Sequence, residues 1–206
     1  MAPGPNEAGG PERRKEDAMT KRDVRRNMKE IGNLANSLLG LLGPAFTGTG
    51  KGHIETDIAG AATLAGLLLL RAAVPGLDGL EPGSAVISDV HEGQAALLAF
   101  MKGISFSMGL EPRKGWDGEI PGDSRPLFPT AELGRKLEIP FHACCAQSPL
   151  EPALYPYAAA MAAMKLVSAG HHMKLLDQRI GKAIACESLV AGSKTVPARP
   201  EALSMV

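Results

Sequence analysis

Proline is the residue that most restricts what this chain can fold into. Its sixteen prolines leave four long stretches free, residues 12–43, 45–74, 83–111 and 157–196, while residues 112–156 hold eight of them. The ring removes a backbone donor and clashes with the preceding turn, so helices can run in the gaps but not far in the crowded segment.

Each gap carries a helical repeat. Val24, Met28, Ile31, Ala35, Leu38 and Leu42 are spaced 4-3-4-3-4. The same spacing links Ile54, Ile58, Ala61, Ala65, Leu68 and Ala72, then Val90, Gln94, Leu97, Met101, Ile104 and Met108. It returns in Tyr157, Met161, Met164, Ser168, His171 and Leu175. One apolar stripe per segment predicts amphipathic helices that meet at a shared core. The run Ile58 to Leu70, IAGAATLAGLLLL, has no charge and no proline, and is the expected inner wall of that core. Small residues at Ala61 and Ala65, Ala62 and Gly66, Ala158 and Ala162, and Ala159 and Ala163 suit close backbone approach.

The fold expected is an all-α helical bundle of four main helices at 20–43, 53–74, 89–110 and 153–191. The proline-rich irregular segment 112–156 would wrap or cap it, with a short helix at 130–138. Thr20 with Asp23 reads as a capping box, Gly43-Pro44 as a stop, and Ser88 or Asp89 as the third helix's cap. A kink is expected at Gly170 or Gly181, and Ala85-Val86-Ile87 as an extended piece. Residues 1–18, rich in Gly, Pro and charge, read as a disordered arm, 19–192 as a single helical domain, and 193–206 as a flexible tail.

Charge excludes some functions. Lys plus Arg and Asp plus Glu are 22 each, so no net field steers the chain onto nucleic acid. The basic residues Arg13, Arg14, Lys15, Lys21, Arg22, Arg25 and Arg26 alternate with Glu16, Asp17 and Asp23, and read as a solvated helix start. Three cysteines without CxxC spacing point to a reducing compartment, and the N-terminus lacks a signal-like apolar core. The expectation is a cytoplasmic protein with no transmembrane span.

No motif names a reaction or a cofactor. GTGKGH at 48–53 lacks the first glycine and the Ser or Thr of a phosphate loop, so it reads as an interhelical turn. His91-Glu92 has Ala95 where a zinc-protease helix needs its second His, and no Glu-x-x-His pair occurs for a di-iron centre. A looser set remains as ligand or metal candidates: His53, Glu55, Asp57, His91, Glu92, His171 and His172. Acids in a first helical turn serve the macrodipole, but Asp57 shares a face with Ala61, Leu64 and Leu68, and a carboxylate there needs a partner. These groups can meet only if the 75–88 connection crosses over the bundle. His142, Cys144 and Cys145 form a secondary set, in which buried packing competes with nucleophilic chemistry. Small-residue faces and Met-rich stripes favour a structural or oligomer-forming interaction protein, with a homo-oligomer or another protein as partner. The alternatives are a bundle that binds a small ligand or metal, an enzyme included, near Asp57, His91 and His171, and a peripheral membrane protein.

Overall fold

A computed structural model describes residues 22–46, 52–74, 76–87 and 90–198. Among them, six longer helices carry the fold: α1 (Met28–Ala45), α2 (Ile54–Ala73), α3 (His91–Ser107), α4 (Thr130–Ala146), α5 (Tyr155–His172) and α6 (Gln178–Gly192). A helical turn at 22–26 precedes α1, and short 3-10 turns occupy Leu77–Gly79, Gly122–Ser124 and Pro152–Leu154. No strand forms among the described residues; one antiparallel bridge joins Ala85 to Thr195. The chain is all-α, as its periodicity implies.

Helix α2 is the element the others surround. Thr56, every residue from Ile58 to Leu67, and Leu70 are buried, because a helix apolar on all sides can be stable only when covered on all sides. Its cover is α5, α6 and α4. Glycine permits the closest crossing. A Cβ at Gly66 would collide with the Leu189 carbonyl, and one at Gly192 with the Thr63 carbonyl, so α2 and α6 touch backbone to backbone there. Ala158 to Ala160, Ala162 and Ala163 of α5 are fully buried, which matches the small-residue spacing of the sequence. By length and composition alone α2 could cross a membrane, contrary to the reading that no segment qualifies. Within the fold, however, 72% of its apolar window is buried against the other helices.

Three boundaries differ from expectation. The crowded segment 112–156 is not irregular throughout: α4 fills 17 residues of it. Leu133, Leu137, Phe141 and Cys145 recur every fourth residue and are buried, and this stripe carries the helix past Pro140. The expected 153–191 helix is two helices, broken neither at Gly170 nor at Gly181. Lys174 takes a left-handed conformation (φ 58°), and Asp177 accepts the Arg179 amide (2.7 Å) to start α6. Gly170 and Gly181 instead serve close packing: a Cβ on Gly170 would collide with Ile54 Cδ1, and one on Gly181 would press on Val167 and Leu176. Third, the chain stays pinned beyond Gly192. Residues 194–196 pair with 83–86 through Gly83 N–H to Val196 O, Val196 N–H to Ser84 O and Val86 N–H to Lys194 O, each 2.8 Å. The expected arm 1–18, the Thr20 cap, the turn glycines Gly48 and Gly50, the Ser88 or Asp89 cap and the tail from 199 lie outside the described residues.

Topology decides which side chains can meet. Ile54 at the start of α2 lies against Gly170 near the end of α5, so these two helices are antiparallel. Leu69 near the end of α2 lies against Gly93 at the start of α3, and Val90 packs with Leu70. Helices α2 and α3 therefore form a plain antiparallel hairpin. The crossover at 75–88 does not occur.

Candidate functional site

The polar start of α2 is built by its cap. His53 is in extended conformation, and its Nδ1 accepts the Thr56 N–H (3.3 Å). Leu127 N–H donates to Thr56 Oγ1 (3.0 Å), and that hydroxyl in turn lies 2.9 Å from His53 Nδ1. The ring nitrogen is the acceptor in this chain, which ties the loop before α4 to the helix start. Glu55 Oε2 sits 3.4 Å from the same nitrogen. Asp57 is partly buried, and desolvation pushes its carboxyl up to about 6, the neighbouring His53 opposing the rise.

His91 and Glu92 are exposed at the other end of the bundle, beside the end of α2. Twelve residues of α2 separate Asp57 from Leu69, roughly 18 Å of helix. The hairpin thus keeps His91 away from Asp57. His171 and His172 close α5 at the same end of the bundle as the start of α2, where Gly170 lies against Ile54, and beside the end of α3. Ser168 Oγ donates to Met108 O (2.9 Å), His172 Nδ1 lies 2.7 Å from Ser168 O, and the two His rings meet edge to face at 5.6 Å. Among the described residues no three His, Cys, Asp or Glu side chains converge as metal ligands would. His142 is exposed on α4, while Cys145 is buried and Cys144 half-buried, and all three cysteines are free thiols. Burial pushes the Cys145 thiol up to about 12, with Cys144 adding to the rise, and pushes the Cys144 thiol up as well. A nucleophile needs the opposite shift.

Two buried charged groups were missed in the sequence. Glu138, 3% exposed, accepts Arg71 NH2 (2.5 Å) on one oxygen and the Ala198 N–H (2.6 Å) on the other, and Arg71 also donates to Ala198 O (2.5 Å). This pair clasps the C-terminal strap across α2 and α4, beside a 330 Å³ cleft lined by Leu67, Pro82, Pro129 and Val196. Lys182, fully buried, donates to the Glu111 and Lys114 carbonyls beneath the Trp116 ring and so fixes the loop after α3. Burial lowers its pKa, and Glu111 and Asp177 oppose the shift. Both residues occupy positions on buried stripes, Glu138 four after Gly134 and Lys182 three before Ala185. Reading each stripe through its charged member would have found them. Gln94, expected in the core, is buried there and donates to Ser193 Oγ (2.5 Å).

One concave surface among the described residues is mostly apolar. It is a 430 Å³ groove between α3 and the start of α1, lined by Val24, Met28, Ala99, Phe100, Gly103 and Tyr157 with Arg25 at its edge. Helix α3 buries one stripe, Gln94, Leu97, Met101, Ile104 and Ser105, chiefly against α5, where Phe100 meets Tyr157 edge to face at 5.2 Å. Its opposite face exposes Ala95, Ala99, Gly103 and Phe106, the last 77% exposed. Exposed Glu92 and Lys102 are the charges on this side of the helix, and the positions between them are small or apolar. A Cβ at Gly103 would meet nothing within 4 Å, so the backbone there is open to close approach.

Comparison with known proteins finds no matching family model, no similar curated protein and no similar solved structure.

Proposed function

We propose that this chain is an interaction protein that docks a helical segment of a partner in the groove between α3 and the start of α1. The observation that supports this most is the groove itself: 430 Å³ of apolar concavity, with small residues on α3 where a second helix could approach and exposed Phe106 beside it. A helix laid in such a groove buries apolar side chains at one-turn spacing, a recurrent mode of peptide recognition. Contiguous exposed apolar surface on a folded domain marks interaction sites. His91 does not join His53 and Asp57 in one pocket, since the hairpin places it at the far end of the bundle.

The test is an amide-shift titration of the isotope-labelled protein with an amphipathic helical peptide, Leu on one face and Gln on the other. Shifts confined to residues 22–28 and α3, and removed by Gly103→Trp, are expected. That substitution fills the groove from an open position and leaves the core untouched. Shifts spread over other helices, or undiminished in Gly103→Trp, would contradict the reading.

A further inference from the structure

The charge around the groove specifies its partner further, resting on the docking reading above. Arg22, Arg25, Arg26 and Lys29 are all exposed and fall at i, i+3, i+4 and i+7, one face of the helical segment that forms one wall. Arg25 lines the groove directly. Lys102, exposed on α3, does not line it, and its ammonium is turned to another side, 5.7 Å from the Trp116 ring centre. None of the residues lining the groove is acidic. Of the carboxylates nearby, Glu30 is bonded to Asn33 (3.1 Å) on the side facing α4, exposed Glu92 stands one helical turn before the lining residue Ala96, and half-buried Asp23 is outnumbered on its own turn.

We infer that the partner is an amphipathic helix whose polar flanks are acidic. Its apolar face fills the groove, and its carboxylates meet Arg25 at the rim and the Arg22, Arg26 and Lys29 stripe beside it. Rim charges of this kind steer encounter and select among partners more than they deepen affinity. A second copy of this chain is a poor occupant, because a symmetric pairing sets Arg25 and the basic stripe beside it against their own kind. An anionic bilayer would attract the same bases, but the apolar residues line a concavity, which a helix fills and a flat surface does not.

The test uses labelled peptides of about 18 residues, five turns of helix. Leu forms one face, and the other face is Glu, Gln or Lys. Fluorescence anisotropy against the intact protein is expected to rank Glu over Gln by roughly tenfold and Gln over Lys, with the spread collapsing at high salt. Arg25→Glu combined with Arg26→Glu is expected to reverse the ranking while leaving the melting temperature unchanged, since both side chains are exposed. Equal binding of the three peptides, all lost in Gly103→Trp, would overturn the acidic partner and keep the groove. Binding to phosphatidylserine-containing vesicles that Gly103→Trp abolishes, with no peptide bound, would replace the helix by a membrane and overturn the inference. Dimerisation through the groove, read by sedimentation of the protein alone, would overturn it in favour of a second copy. Peptide binding that survives Gly103→Trp would remove the docking reading itself.

Discussion

Helices α2 and α3 are both apolar, uncapped by long charged faces and joined as one hairpin, yet the fold treats them oppositely. Helix α2 is enclosed by α4, α5 and α6, with backbone-to-backbone contact at Gly66 and Gly192. Helix α3 gives one stripe to α5 and leaves Ala95, Ala99, Gly103 and Phe106 in the open. Apolar composition therefore does two jobs here. In α2 it is consumed by folding, while in α3 part of it stays exposed among the described residues. The comparison also separates stability from function: changes that disturb α2 should unfold the protein, and changes on the outer face of α3 should not.

The largest effect belongs to the centre. Leu64 is fully buried in α2, and Leu64→Asp would place an unpaired carboxylate in a close-packed interior. The expected result is loss of a cooperative thermal transition, because several kcal/mol is a large share of a total stability of about 5–15 kcal/mol. A transition near the parent's temperature would remove α2 from the centre of the account.

Next comes the rim of that core, where Arg71 and Glu138 clasp the strap. Glu138→Gln keeps the shape but removes the charge that faces Arg71, and the expected cost is about 1–3 kcal/mol by denaturant titration. Amide exchange should rise first at Gly83, Val86 and Val196, whose N–H groups hold the strap pairing. An unchanged midpoint with full protection there would show the clasp to be idle.

A smaller effect is expected at the start of α2, and it depends on pH. The folded pKa of Asp57, about 6, lies above the ordinary value of 3.8, so the folded state holds this proton more tightly than the unfolded chain does. The ionised carboxylate thus costs stability above pH 6, and the cost fades as pH falls from 6 towards 4. Asp57→Asn should melt higher than the parent at neutral pH, by about 1 kcal/mol after allowing for solvent at this partly exposed site, with the gap closing on acidification. A lower melting temperature at neutral pH would mean that Asp57 is held by a favourable partner instead.

How much of this was legible in the sequence follows from what each signal measures. Periodicity reports burial, so the stripes of α1, α2 and α3 and the core place of Gln94 could be read directly. Proline reports where a helix is penalised, and it concealed α4. Pro140 costs about 3 kcal/mol at an interior position, but burying Leu137, Phe141 and Cys145 on the same stripe offsets it. The α5–α6 corner was assigned to the wrong residues because glycine signals both flexibility and close packing. Gly170 and Gly181 serve packing, while Lys174 and Asp177 make the turn. His91 drops away from the rest of the candidate set for a topological reason. Asp57 and His91 could meet only across a crossover, and linker length alone permits both a crossover and a hairpin. The groove was illegible for a related reason: Ala99 and Gly103 look like any small residues until the described helices prove to leave them exposed.

The central claim is that the outer face of α3 is not needed for folding. It is tested most directly by Ala99→Asp, measured for melting temperature and for peptide binding in one preparation. Ala99 is exposed and lines the groove, so the expected change in stability is within about 0.5 kcal/mol, and amphipathic-peptide binding should be lost. A fall of several kcal/mol would place that face inside the fold, and undiminished binding would place the docking surface elsewhere. Either outcome would contradict the account.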